Sequence, residues 1–337
     1  MSRVEIGLGL QSDKRPGRYA SIARVAERYE IDVISVFSDL LFQPPVGALL
    51  EIAQATDRVR LGAACWNPFT LHPYEIAGQW ALIDQMSGGR AYLGLAKGTW
   101  LGAIGVEQPR AVARIAQAAG HIQALLSGEG KGYEGDIFPL EPGVRLRYEL
   151  DRTEAPLLIG SWGPLGIALA GRIADELKVG GTANPDLVPV IRERLAAGTS
   201  KVGRQPEDVK LVFGAVTVID RDGDAARTAA RREVAMYLDA VAELDPTVDV
   251  PADLLDRIRA LLAVDDHAGA GALVPDDLLD RFAFAGTPEQ IAAQAQALIG
   301  AGVDRIEFGT PHGLEVEETG VELIGAEVLP LLRRDRA

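Results

Sequence analysis

The chain has 337 residues, 47% of them hydrophobic, enough for one large core and within the span of an α/β barrel with insertions. Against 34 Lys and Arg stand 48 Asp and Glu, a formal charge of −14 with no basic run, which argues against a nucleic-acid partner and requires any anionic group to be held locally. Cys65 is the single cysteine and permits no intrachain disulfide, the amino terminus lacks a signal-like apolar stretch, and no run of about eighteen apolar residues occurs, so the expectation is a cytoplasmic protein with no membrane partner.

Short apolar runs alternate with longer segments of helical period, the pattern of parallel strands joined by crossover helices. The first strand is expected over 4–10, with Glu5, Gly7 and Gly9 on one face and Glu5 the deepest, and a helix follows at 17–29. Leu10 leads into Gln11-Ser12-Asp13-Lys14-Arg15-Pro16, which lacks the glycine-rich turn of a dinucleotide-binding doubly wound sheet. The second strand, 33–37, ends in Ser38-Asp39 and precedes a helix at 46–55. Asp39 stands as either a turn or helix cap or a functional carboxylate at the end of a strand.

The third strand, 59–65, runs into Ala63-Ala64-Cys65-Trp66-Asn67-Pro68-Phe69-Thr70-Leu71-His72-Pro73. Small residues followed by aromatic ones suit close approach of the backbone to a flat ligand. Cys65 has no sequence neighbour that would lower its pKa and reads as a wall residue. His72 reads as the cap of a helix at 73–86. The fourth strand, 91–96, ends in Lys97-Gly98, where Lys97 is either an anion contact or a solvated side chain and Gly98 permits a tight turn; a helix at 110–126 follows.

Residues 128–154, rich in Gly, Pro and charge, form a first insertion. The fifth strand, 156–160, enters a helix at 166–174 through Gly160-Ser161-Trp162-Gly163-Pro164-Leu165-Gly166. Free N–H groups at that entrance suit a phosphate, although the glycines also serve a simple turn. The sixth strand, 176–180, ends in Gly180-Gly181-Thr182-Ala183-Asn184-Pro185 and is followed by a helix at 187–197. A seventh strand spans 211–219, a helical second insertion 220–281, a helix 288–301, an eighth strand 305–309 and a closing helix 316–332. Eight strand–helix units favour a single-domain (β/α)8 TIM barrel over residues 1–337, with an open doubly wound sheet as the alternative. His72, His121, His267 and His312 have no ligand spacing, so no metal site is expected, and a serine-nucleophile elbow and a P-loop are both lacking.

Several stretches together resemble the F420-dependent 5,10-methylenetetrahydromethanopterin reductases of the bacterial-luciferase-like superfamily. They are Gly62 to Pro73, Ser87-Gly88-Gly89-Arg90-Ala91, Gly160-Ser161-Trp162-Gly163-Pro164, Gly171-Arg172-Ile173-Ala174-Asp175, Ala285-Gly286-Thr287-Pro288-Glu289, Gly309-Thr310-Pro311 and Gly325-Ala326-Glu327-Val328-Leu329-Pro330. The resemblance runs from about residue 4 to 332. It implies a deazaflavin or flavin ring across the barrel mouth, with a non-prolyl cis peptide joining Ala64 and Cys65 and pressing on the ring. It also implies Asp39 near that ring, Trp66 and Asn67 beside it, and Gly160, Ser161, Trp162, Gly163, Thr182 and Asn184 along the cofactor tail. Lys97 and Gly98 join this cofactor-binding set.

Two departures bear on the substrate. Where the similar reductases carry a Glu near the end of the first strand this chain has Gly9, and their Asp-His pair after the second strand is Asp39-Leu40 here. Both point away from a tetrahydropterin. The resemblance thus implies hydride transfer between coenzyme F420 and a small-molecule C=N or C=O substrate, with Asp39 as proton donor or orienting group, Trp66 and Asn67 at the reacting centre, and a homodimer. An FMN-dependent monooxygenase is the alternative, and a non-catalytic flavin-binding protein a third.

Overall fold

The structure, a computed structural model, describes residues 3–334. Its strands are β1 (Glu5–Leu10), β2 (Val33–Val36), β3 (Arg60–Ala63), β4 (Leu93–Leu95), β5 (Leu157–Gly160), β6 (Glu176–Gly180), β7 (Lys210–Ile219), β8 (Ala283–Gly286) and β9 (Arg305–His312). Hydrogen bonding runs in the order β3-β2-β1-β9-β7-β6-β5-β4, and every ladder is parallel. Bridges Leu61↔Ala91 and Trp66↔Leu95 tie β3 to β4 and close the ring. The result is the expected (β/α)8 barrel.

All eight expected strands are present, and β8 is an addition that the sequence does not announce. Its four residues, Ala-Phe-Ala-Gly, lack the β-branched alternation of a strand and directly follow helical residues. Because β9 occupies one edge of β7, β8 takes the other edge, pairing Val216–Ile219 above the stretch paired with β6. The first insertion contains no helix and a single Tyr133↔Leu140 bridge, whereas the second forms helices Gly223–Val241, Ala252–Leu262, His267–Ala272 and Asp276–Phe282. These helices pack with β8 around Val218, Leu238, Ile258 and Phe282, a core of their own beside the main one.

The main core lies between barrel and helices, where Leu8, Leu10, Ile34, Leu61, Ile159 and Phe308 are fully buried. Local chemistry sets the helix starts. Pro73–Ser87 begins with Pro at its first turn and His72 as cap, whose Nδ1 accepts the Tyr74 N–H at 3.1 Å. Pro288–Ala301 begins with a reciprocal Thr287/Gln290 capping box. Inside the barrel the alternate residues face one another. Val33, Tyr92 and Leu158 form a small inner apolar cluster with Cys65 against it, and charged residues fill much of the rest.

Candidate active site

Alternation along the strands aims Glu5, Arg60, Glu176, Lys178, Lys210, Arg305 and Glu307 inward. At the base, Arg305 is fully buried, 2.7 Å from Glu176 and 3.2 Å from Glu307, and Arg60 reaches Glu176 at 2.9 Å. The Arg305 N–H bonds are not aimed at these oxygens, so the attraction is Coulombic, and the guanidinium also lies 5.7 Å from the Tyr92 ring centre. Glu5 pairs with Lys210 at 2.7 Å, which places it at the base, as expected from the alternation. One layer higher, Lys178 bonds directly to Glu307, and Glu307 accepts from Ser35 Oγ at 2.8 Å. Burial alone would raise the Glu307 pKa, but Lys178 and Arg305 hold it below the usual carboxylate value.

Above this ladder the inward positions become small. Gly9, Gly94, Gly160, Gly180 and Gly309 lie on five strands near their C-terminal ends. A Cβ on Gly94 would stand 2.1 Å from Ala63 O, and one on Gly160 would stand 3.1 Å from Cys65 Sγ. A Cβ on Gly180 would meet only Lys178 Cε, at 3.9 Å. Backbone thus forms the wall at Gly94 and Gly160, where a side chain would collide, and at Gly180 the space is open. Phe37, half-buried, is the large inward ring at this level, with Lys178 Nζ 5.1 Å from its centre.

Asp39 sits half-buried at the rim, its Oδ2 accepting from Gln11 Nε2 at 3.2 Å. Burial raises its pKa, opposed by the Gln11 hydrogen bond and the Lys178 charge. Gln11 Oε1 and Ser12 Oγ are buried at the same rim without a hydrogen-bond partner. Beyond them, Lys14 Nζ donates to Gln11 O at 3.0 Å and lies 3.2 Å from Glu317, which also faces His312 Nδ1 at 2.9 Å. The rim thus offers one carboxyl with an elevated pKa beside a polar side chain that has an acceptor to spare.

The other expected residues divide into two groups. Ala64 and Cys65 are half-buried at the mouth, and the peptide between them is cis. Burial pushes the Cys65 thiol up to about 12, consistent with a wall rather than a nucleophile. Gly160, Ser161, Trp162 and Gly163 line the adjacent edge. Trp162 Nε1 donates to Gly180 O at 2.8 Å, and Gly163 begins Pro164–Ile173 without a side-chain cap, leaving the helix N–H groups available. Lys97 is exposed, and Gly98 at φ +78° makes the turn expected of it.

Four expected contacts are not supported by the geometry. Trp66 is fully buried in the barrel–helix core, with no surface toward the mouth. Asn67 Oδ1 accepts from Phe69 N at 3.1 Å, Thr70 N at 2.9 Å and Thr70 Oγ1 at 3.0 Å, so it builds the turn before the next helix. Thr182 and Asn184 are fully buried, and Asn184 is committed to Asp245 Oδ2 and Thr247 Oγ1, both at 2.8 Å, and to Arg281 Nη1 at 2.9 Å. They fasten the loop after β6 to the second insertion, with their side chains turned to that contact. Conversely, Gln11, Phe37, Lys178 and Glu307 were passed over in the sequence. The available signal was charge at alternate positions, Glu176/Lys178 and Arg305/Glu307, within otherwise apolar strands.

Comparison with known proteins agrees with this arrangement. The sequence matches the luciferase-like monooxygenase family over residues 2–305. It is 30% identical over 295 residues to the 5,10-methylenetetrahydromethanopterin reductase of Archaeoglobus fulgidus, covering 85% of this chain and 86% of that protein. It is 28% identical to the F420-dependent glucose-6-phosphate dehydrogenase of Microbacterium testaceum, covering 86% and 82% respectively. The solved structure of the coenzyme F420 dependent tetrahydromethanopterin reductase from Methanopyrus kandleri superposes with a TM-score of 0.89 at 25% identity, covering 98% of this chain and all of that one. A match that runs through β1 to the first residue of β9, on a barrel of the same topology, shows that this chain belongs to the luciferase-like monooxygenase family.

Proposed function

We propose that this protein is an F420-dependent oxidoreductase that moves a hydride between the deazaflavin and the carbon of a C=O or C=N group. The observation that carries the reading is a glycine-lined mouth with a half-buried carboxyl at its rim. Cys65, Gly94 and Gly160 form a wall on which a flat ring can rest, and the uncapped turn after Gly163 suits the anionic tail. When bound, F420 supplies or accepts the hydride. Asp39 then gives its proton to the carbonyl oxygen or imine nitrogen as the carbon is reduced, and takes it back in the reverse direction. Gln11 orients Asp39 through their hydrogen bond, and the walls exclude water.

The relatives named for F420 support this cofactor, and the same reading has the chain act as a homodimer in the cytoplasm. Tyr74, Leu82 and Met86, spaced along one face of the outer helix Pro73–Ser87, are 54%, 45% and 41% exposed and suit burial against a second copy. Among the described residues no helix is long and apolar enough to cross a membrane. Titration of the purified protein with F420 and with FMN, followed by absorbance and fluorescence, tests the cofactor. Saturable quenching of the deazaflavin is expected. Tight FMN binding with substrate-dependent oxygen consumption would replace this reading by a monooxygenase.

A further inference from the structure

A Cβ on Gly9 would stand 2.6 Å from Cζ and 3.0 Å from Cε1 of Phe37. The Phe37 ring thus fills the volume into which any side chain at position 9 would project. The same ring lies 5.1 Å from Lys178 Nζ, and Lys178 is bonded to Glu307 and only 8% exposed. Phe37 itself is half-buried. One ring therefore does two jobs: it occupies the place of a side chain on β1 and sets its face against a buried ammonium. A cation against an aromatic face is partly satisfied without an anion. A carboxylate brought to the ring would be desolvated without a partner and would feel Glu307 and Asp39 as like charges.

We infer that Phe37 is a specificity-determining residue of the hydride-transfer site proposed above: with Gly9 it seals the Lys178–Glu307 pair under an aromatic face, so the site selects a substrate whose group nearest the floor is apolar and uncharged. A substrate that directs a carboxylate to the floor is turned away. The selection works by covering a cation that would otherwise attract the anion.

The test uses the full-length protein loaded with F420, with benzoate and its neutral isostere benzamide titrated against deazaflavin fluorescence. Phe37→Ala is expected to bind benzoate about tenfold or more tighter than the parent does. Phe37→Leu, which keeps an apolar cover, shows no such gain, and benzamide gains in neither variant. The gain in Phe37→Ala disappears in Phe37→Ala/Lys178→Met. No benzoate gain in Phe37→Ala, or a gain that persists without Lys178, would overturn the inference. Because Lys178→Met removes a direct partner of the buried Glu307, a second measurement uses the folded single variants: mass spectrometry after amine acetylation. Lys178 is expected to be protected in the parent and in Phe37→Leu and labelled in Phe37→Ala, and equal labelling in all three overturns the role of the ring. Failure of every variant to bind F420 sinks the hydride-transfer reading instead, while the labelling still reports whether Phe37 covers Lys178.

Discussion

The proposed chemistry turns on Asp39. Its carboxyl remains protonated above the ordinary aspartate value of about 3.9 because burial outweighs the help of Gln11 and Lys178. The sign follows directly: the acid form is present below the raised pKa and is lost as pH climbs through it. Reduction of a C=O or C=N group should therefore slow with rising pH through that value, and oxidation should quicken. Asp39→Asn should lower turnover by about 100-fold and flatten this limb of the pH profile, since general acid catalysis contributes about 10²–10⁴. Steady-state rates from pH 4 to 8 check this. An unaltered profile would remove Asp39 from the reaction. Its place at the end of β2 was legible in the sequence, but its hydrogen bond to Gln11 was not, because the contact joins the loops after two different strands.

At the scale of elements, the loop after β6 and the second insertion are one mechanical unit. Asn184 bonds Asp245, Thr247 and Arg281 across about 60 to 100 residues of sequence. Asn184→Ala removes the partner of buried Asp245 Oδ2 and two further hydrogen bonds, and should cost about 2 kcal/mol. Hydrogen exchange should accelerate around Asp245 and Thr247 while β1 to β4 keep their protection; uniform loosening of the whole barrel would contradict a local clasp. Thr182 and Asn184 show how much of such a residue's role the sequence leaves open. Polar side chains after a strand suit a ligand as well as a neighbouring insertion, and only the fold reveals which groups are already taken. The helices were easier to see, because prolines and caps such as His72-Pro73 and Thr287-Pro288 mark their starts where they occur. By contrast β8 owes its strand conformation to the free edge of β7 rather than to its own residues.

For the whole molecule, apolar runs alternating with helical segments favoured a barrel over a doubly wound sheet, since each strand buries its outward face beneath a helix, and the family resemblance pointed the same way. The apolar pattern said little about the interior, where buried charges of both signs stand beneath a glycine-lined mouth. Inward charges on separate strands become a ladder only once the ring closes and the register aligns them. The outer face carries its own expectation. If the Tyr74–Leu82–Met86 stripe joins two copies, Leu82→Asp should shift the solution mass from dimer to monomer by light scattering at micromolar concentration, with the cofactor site intact. A parent protein that is already monomeric would retire the dimer.

The most direct test of the central claim is a crystal structure of the protein with F420 bound. The account predicts the deazaflavin across the C-terminal ends of the strands, against Cys65, Gly94 and Gly160, with Asp39 within hydrogen-bond reach of the space over the ring. A ring bound elsewhere, or a mouth that holds no F420 at saturating concentration, would contradict it.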